Sequence, residues 1–332
     1  ADARRAPPGS VVVFLGDNIY PAGLPEEEAD APGENARKLL DQIECFRGIA
    51  GLRVRFVPGN HDYVAGGFGS VLREASLAAR AGIDAGVDAG VRPAAPLGEP
   101  VAVSPPEPVG RRWSLVYLDT VAWLRPEHRS AKAPDPRTEL ELVVRQETAR
   151  GREAFVLGHH PVASHGRHGG FYSWREHLFP LHELRFIGDA GYLLPLPLLG
   201  SLYPLLRGNG WVGSDEDMAT AGNRAFVDSL TGALRAAPPL LYACGHEHAL
   251  QVLRGPGLPW LVASGAGFLG REESITTGRD TVFASPAAGY FRVDLFADGR
   301  ARLEAVEIRE GEPERREFAM WLTPRAPAAS SP

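Results

Sequence analysis

Several short apolar stretches of this sequence end in small clusters of Asp, Asn and His residues. The pattern occurs in SVVVFLGDN, LRVRFVPGNHD, EAFVLGHHP and PPLLYACGHEH. Short runs rich in β-branched and aliphatic residues, followed by a polar loop, are typical of buried strands in an α/β fold. Ligands bind such sheets beyond the carboxyl ends of the strands. The sequence therefore predicts an α/β protein whose polar clusters meet at one edge.

The remaining patterns fill in the fold. Further strand-like runs are RRWSLVYLDT and LPWLVASGAG, and helical patterns cover 34–49, 138–150 and 224–235. Thr138 and Glu141 have the spacing of a capping box at a helix start. Residues 84–110 lack periodicity and are predicted to form an irregular surface segment. YFRVDLF and RARLEAVEI flank Ala297-Asp298-Gly299, a hairpin signature that predicts a second, more antiparallel sheet.

Composition excludes several classes of function. The formal net charge is −6, with 44% apolar and 23% charged residues, so nothing in the global charge favours nucleic acid or an anionic membrane as a partner. The most apolar segment, 192–206, is short and broken by prolines, so no transmembrane segment is predicted. We expect 192–206 to be buried beside the site. The alternatives are a cover over the substrate pocket and a contact with a membrane or a partner.

Neither the cysteines nor the N-terminus fixes a compartment. Cys45 and Cys244 are far apart and are predicted to be free thiols. The N-terminal part of this sequence contains no signal-peptide pattern. If the full-length gene encodes a signal peptide, a periplasmic or secreted location is expected. The oligomeric state stays open.

The polar clusters together offer carboxylate, amide, imidazole and phenol groups. This mixture suits Fe, Mn or Zn rather than Cu(I) or a thiolate site. Taken singly, each cluster also fits a structural role, since Gly-Asp can form a turn, Asn-His-Asp an Asx turn, and a lone His a hydrogen-bonded core residue. The ordered set G-D-x-x-Y, G-N-H-D, G-H and G-H-x-H, each after an apolar run, favours a shared metal site.

A set of longer motifs resembles the calcineurin-like metallophosphoesterase superfamily, in particular the small, tartrate-resistant type of purple acid phosphatase and its bacterial relatives. The motifs are FLGDNIY, PGNHD, VYLDTVAW, VLGHHPVASHGRHG, ACGHEHALQVL and VASGAGF. The resemblance implies an α/β sandwich of two mixed sheets flanked by helices. It places a metallophosphoesterase domain at 1–310, with a long insertion near the site at 164–222. Residues 311–332 would form a C-terminal tail with a disordered end.

The same resemblance implies a centre of two metal ions, Fe paired with Fe, Zn or Mn. Asp17 would bridge the two ions. One ion would be completed by Asn60, His159 and His246, and the other by Tyr20 and His248. A phenol with a free pKa of about 10 ionises best on a ferric ion, so a tyrosine that packs away from the site would favour a plain Mn or Zn centre instead.

The implied activity is hydrolysis of a small phosphorylated substrate, a phosphomonoester, by a metal-bridging hydroxide. His61 would assist the leaving group, and Asp62 would orient His61. His168, nine residues after His159, would contact the phosphate, with His165 as the second candidate for this contact; a solvent-exposed loop histidine is the alternative. Two other functions stay open: a phosphodiesterase or nucleotidase of the same superfamily, and a metal-binding module with impaired catalysis.

One element of the family pattern is missing. The family begins with a strand that ends in Gly-Asp, and positions 1–10 contain no Asp in that context. We therefore expect a fold that lacks the first N-terminal strand, as in a fragment or a gene model with a late start. An exposed sheet edge, a weakened second metal site and a poor catalyst would follow. Asp189, in FIGDAG, is a candidate substitute ligand, although its order along the chain differs from the family's.

Overall fold

The protein was examined as a computed structural model that describes residues 2–29, 32–95, 98–129, 133–172, 174–179, 194–196, 199–211, 216–265 and 275–322. The strands are β1 (Val11–Phe14), β2 (Arg53–Phe56), β3 (Asp88–Val91), β4 (Glu107–Val109), β5 (Trp113–Tyr117), β6 (Glu153–Leu157), β7 (Leu241–Cys244), β8 (Leu250–Arg254), β9 (Trp260–Ser264), β10 (Thr281–Ser285), β11 (Gly289–Leu295), β12 (Ala301–Glu307) and β13 (Arg315–Leu322). The helices are α1 (Glu34–Glu44), α2 (Phe68–Ala85), α3 (Thr120–Leu124), α4 (Pro136–Ala149), α5 (Trp174–Leu178), α6 (Leu202–Gly208) and α7 (Ala221–Ala236).

The strands form three hydrogen-bonded groups. β1, β2 and β3 make a parallel sheet in that order, and β11, β12 and β13 make an antiparallel one. The largest sheet is mixed, with the order β10-β8-β9-β7-β6-β5-β4 and parallel pairs from β5 through β6 and β7 to β9. Within the described residues β1 pairs on one side only, and its four residues are partly buried. It is therefore an edge strand, as expected.

A buried apolar layer joins these sheets face to face. It includes Val57 next to β2, Tyr117 and Leu157 of the large sheet, and Leu303 of the antiparallel sheet, with Val13 of β1 packed against it. Helices cover the outer faces, α4 and α7 on the large sheet and α1 and α2 on the parallel one. The predicted α/β sandwich flanked by helices is confirmed, but its strands form one parallel, one antiparallel and one mixed sheet instead of two mixed sheets.

Two predictions about irregular segments are wrong. The range 84–110 contains β3 and β4, and β3 pairs in parallel with β2. Arg315–Leu322 lies in the predicted 311–332 tail but pairs with β12, so the antiparallel sheet extends past residue 310. Two side chains on alternate positions of β13, Phe318 and Met320, are apolar and pack against the layer between the sheets. This packing explains why a segment with several charged residues forms a strand.

The start of α4 also differs from the prediction. Helix α4 begins at Pro136, and the N-cap is Asp135, whose carboxylate accepts a hydrogen bond from the Thr138 backbone N–H. Pro136 occupies a first-turn position where a missing N–H costs nothing. The capping box predicted from Thr138 and Glu141 is therefore replaced by an Asp cap one turn earlier.

The 164–222 insertion carries short helices and an exposed apolar surface. Leu202 and Leu205 of α6 are 54% and 57% exposed, and Leu194 is 53% exposed, so the burial expected for 192–206 does not hold for these side chains. Pro204 is buried in the first turn of α6, where its ring is compatible with a helix. Among the described residues, no helix is long and apolar enough to cross a membrane.

Candidate metal centre

Four of the predicted donors follow the carboxyl ends of strands in both layers of the sandwich. Asp17 follows β1 and Asn60 follows β2, while His159 follows β6 and His246 follows β7. β1 and β2 are parallel neighbours in one sheet, and β6 and β7 are parallel neighbours in another. The four loops that follow these strands therefore converge at one edge of the sandwich. The structure thus brings these four side chains together.

The imidazole of His159 is the centre of this cluster. Its Nδ1 lies 2.7 Å from the carbonyl oxygen of Leu15 and must donate to it. Burial lowers the pKa of His159 to about 4, so the ring is neutral and Nε2 carries a lone pair. That Nε2 faces Asn60 Oδ1 at 2.9 Å, Asp17 Oδ1 at 3.3 Å and His246 Nδ1 at 3.2 Å. Electron-pair donors therefore converge at one point.

His246 is a buried imidazole whose Nδ1 belongs to the cluster. Burial together with the neighbouring imidazoles lowers its pKa well below the usual value, so the ring is neutral and only one of its nitrogens has a free lone pair. Its Nε2 is buried and has no hydrogen-bond partner within the described part of the chain. Because the two nitrogens of one ring point in different directions, Nδ1 is the nitrogen that faces the cluster. The convergent lone pairs fit a bound metal ion of the kind that prefers imidazole and carboxylate ligands.

His160 lies in the same group of imidazoles but plays a different part. Ligand atoms of His159, His160 and His246 all lie within 4.8 Å of one another. However, His160 Nε2 donates to Glu216 at 2.7 Å, and its Nδ1 accepts from the Thr120 hydroxyl at 2.8 Å. Both ring nitrogens are therefore engaged, and His160 acts as a support for the loop rather than as a metal donor.

Unusual backbone conformations hold the donors in place. Asp17 and His246 have φ values of 55° and 66°, in the left-handed region that costs a non-glycine residue about 1–3 kcal/mol. Gly16, at φ 97°, lies so close that an added Cβ would be 2.2 Å from His159 Nδ1. A Cβ on Gly59 would be 2.3 Å from the Asp17 backbone nitrogen. Glycine is thus required where the loops meet.

Asp62 is a brace between two loops. It is fully buried and accepts hydrogen bonds from Asn18 Nδ2 at 2.9 Å, Ile19 N at 3.0 Å and Gly59 N at 2.8 Å. Burial and the charge of Asp17 raise its pKa to about 7. These partners occupy the carboxylate, and none is His61. The orienting role predicted for Asp62 is therefore wrong.

His61 is oriented by the backbone instead. Its Nδ1 lies 2.5 Å from the carbonyl oxygen of Pro21, so Nδ1 carries the proton of that bond. Its backbone N–H donates to Asp17 Oδ1 at 3.0 Å. The ring is partly exposed next to the cluster, and Nε2 is left as the nitrogen that can exchange a proton with a ligand.

Tyr20 and His248 lie on the same side as His61. The Tyr20 ring is centred 4.2 Å from the His61 ring and 6.3 Å from the His248 ring. The two residues predicted to share a second metal are thus neighbours. Asp189, the proposed substitute ligand, lies outside the described residues.

His168 packs against the His246 side of the cluster. Its ring is centred 4.0 Å from the His246 ring, and its Nδ1 is 3.0 Å from the carboxylate of Asp217. Glu216 and Asp217, which bind His160 and His168, were missed in the sequence. They belong to a short acidic run in the loop ahead of α7, where charged residues are common, so no local signal marked them.

Comparisons with known proteins identify one family and several similar folds. A family model described as calcineurin-like phosphoesterase matches residues 2–250. Among solved structures, GAP50, the anchor in the inner membrane complex of Plasmodium, superposes with a TM-score of 0.52 at 14% identity, covering 96% of this chain and 80% of that one. A dimetal phosphatase from Danio rerio gives 0.46 at 12% identity, covering 94% and 83%. The purple acid phosphatase PPD1 from yellow lupin seeds gives 0.47 at 12% identity, covering 95% and 54%.

These structural likenesses are low in identity, and the first of them indicates a shared fold only. No curated protein sequence matches the chain. The family match is of a different kind, because it includes the loops that carry Asp17, Asn60, His159 and His246. On this match, the chain belongs to the calcineurin-like phosphoesterase family.

Proposed function

We propose that this protein is a metal-dependent phosphoesterase that hydrolyses small phosphomonoesters. The observation that carries the proposal is the convergence of Asn60 Oδ1, Asp17 Oδ1 and His246 Nδ1 on His159 Nε2 at 2.9, 3.3 and 3.2 Å. Family membership supplies the reaction class. Convergent lone pairs attract a metal ion, and a bound metal ion gives a phosphate dianion a binding partner.

The donors divide into two sets. Asp17, Asn60, His159 and His246 would hold one ion, and Asp17, Tyr20 and His248 the other. When bound, the ions would supply Lewis-acid activation of the phosphoryl group and of the attacking water. Fe paired with Fe, Zn or Mn matches these ligand types. Because the second set has three donors against four, we expect one tight and one weaker site in a metal titration.

His61 is the proposed proton donor to the leaving group. Since Nδ1 is held by the Pro21 carbonyl, the exchangeable proton is on Nε2. General-acid catalysis matters most for a poor leaving group, and its loss costs about 10²–10⁴-fold. We therefore expect His61→Asn to slow hydrolysis of an alkyl phosphate far more than that of p-nitrophenyl phosphate.

The test is a hydrolysis assay with p-nitrophenyl phosphate and its bis ester, run with saturating Fe, Zn or Mn and again after chelation. Metal-dependent hydrolysis of the monoester in excess of the bis ester supports the proposal. Preference for the bis ester would assign a phosphodiesterase. Turnover of neither ester by metal-loaded protein would contradict catalysis and favour a metal-binding module. His128→Asn, a histidine substitution away from the donors, serves as the matched control for His61→Asn.

A further inference from the structure

Two adjacent carboxylates of the 164–222 insertion are buried beside the candidate metal centre. Glu216 is 7% and Asp217 is 2% exposed. Each carboxylate accepts hydrogen bonds from one imidazole and one guanidinium. The partners of Glu216 are His160 and Arg125, and those of Asp217 are His168 and Arg207. A buried charge needs such partners, so neither carboxylate is an incidental surface group.

Asp217 determines which nitrogen of His168 carries a proton. Arg207 donates to Asp217 through Nε at 2.8 Å and Nη2 at 2.6 Å. Burial would raise the pKa of Asp217, but the hydrogen bonds from His168 and Arg207 outweigh it and lower the pKa to about 2. An ionised carboxylate only accepts, so His168 Nδ1 is the donor at 3.0 Å. His168 Nε2 is then directed away from Asp217, on a ring that lies against His246.

The backbone around His168, at the start of the insertion, is also fixed to the later part of the insertion. The Met218 N–H donates to the carbonyl oxygen of His168 at 3.0 Å. Gly170 packs so closely on Gly208, at the end of α6, that an added Cβ would lie 3.1 Å from the Gly208 Cα. The helix that carries Arg207 and the loop that carries His168 therefore form one unit.

We propose that Asp217 is a positioning residue that holds His168 against the phosphoryl group of the substrate, so that the insertion forms part of the phosphate-binding site. The inference rests on the proposed function. Orienting partners of this kind typically change affinity or activity by about 10–100-fold when removed, because the imidazole loses its fixed direction.

The experiment compares Asp217→Asn with Asp280→Asn. The control removes the same kind of pair, since Asp280 lies 2.7 Å from His165 Nε2. The contacts described for these two residues include none with Asp17, Asn60, His159 or His246. Inorganic phosphate binding to metal-loaded protein is measured by calorimetry, with KM and kcat for p-nitrophenyl phosphate and the bound metal. We expect Asp217→Asn to weaken phosphate binding and raise KM by about 10-fold with metal content intact. Asp280→Asn should leave all three readouts unchanged.

Further variants keep the test decisive. His168→Asn should give the same loss of phosphate binding. Because it leaves the Asp217–Arg207 pair intact, it can replace Asp217→Asn if that variant folds poorly. In the double variant the losses should not add, because both act through one imidazole. Unchanged phosphate affinity in His168→Asn, or loss of bound metal in Asp217→Asn, would overturn the positioning role. If neither ester is hydrolysed, the proposed function fails, while phosphate binding still decides the role of Asp217.

Discussion

Replacing Asp62 with alanine tests the packing of the two loops that carry Asp17 and Asn60. Asp62 is fully buried and accepts hydrogen bonds of 2.8–3.0 Å from Asn18, Ile19 and Gly59. The substitution leaves three buried N–H groups without an acceptor: those of Ile19 and Gly59, and one of the two on Asn18 Nδ2, whose other N–H still donates to Val57. Each costs about 1–3 kcal/mol, and water entering the vacated space offsets part of the sum. We expect the free energy of unfolding to fall by about 3–5 kcal/mol, a large share of the about 5–15 kcal/mol typical of a domain.

The assay is urea unfolding, followed by circular dichroism, of chelator-treated protein, so that lost metal binding does not contribute. Asp84→Ala is the control, because Asp84 is exposed near the end of α2 and its loss should change the free energy of unfolding by about 0.5 kcal/mol or less. A fall below about 1 kcal/mol for Asp62→Ala would show that the three donors find other partners. Reduced turnover with unchanged stability would restore the His61-orienting role to Asp62.

Three further predictions concern strain, charge and ligand binding. Gly16→Ala, at φ 97° and with its Cβ 2.2 Å from His159 Nδ1, should lower the free energy of unfolding by more than about 1 kcal/mol and weaken metal binding; retention of both in urea and metal titrations would contradict the crowding. Hydrogen bonds from Arg55 lower the pKa of Asp88, so their stabilising effect is present above about pH 4 and is lost as pH falls through the lower folded pKa. In urea unfolding, the free energy of unfolding of Arg55→Met should decrease less with falling pH than that of wild type. An equal decrease in both proteins would refute the linkage. Mn²⁺ or Zn²⁺ should raise the Tm of wild type and should raise the Tm of His246→Ala much less. Equal increases in Tm would mean that the metal binds elsewhere.

The strands that position the site were predictable because their composition is distinctive. Runs such as VVVF in β1 and LYAC in β7 are apolar throughout, as expected for strands covered on both faces. β3 was missed because Asp88–Val91 reads DAGV, which lacks a β-branched or aromatic run. β13 was missed because its charges hide the alternate apolar residues, and α6 because Pro204 lies in its first turn.

The site was predictable only where a motif lies on the strand ends. Asp17, Asn60, His159 and His246 could be placed together because each follows a predicted strand. The contacts of Asp62 and His61 depend on loop conformation, and neighbours in sequence turned out to have different partners. Asp217 and His168 are 49 residues apart, and the insertion between them has no periodic pattern. The local sequence around either residue therefore could not show that the two side chains form a pair.

The central claim is that Asp17, Asn60, His159 and His246 form a metal-binding site. Anomalous X-ray scattering at the absorption edge of Mn or Zn, from crystals soaked in either ion, tests it most directly. We expect a peak at about 2.0–2.3 Å from His159 Nε2 and within ligand distance of the other three side chains. A peak elsewhere, or none here at saturating metal in folded crystals, would contradict it.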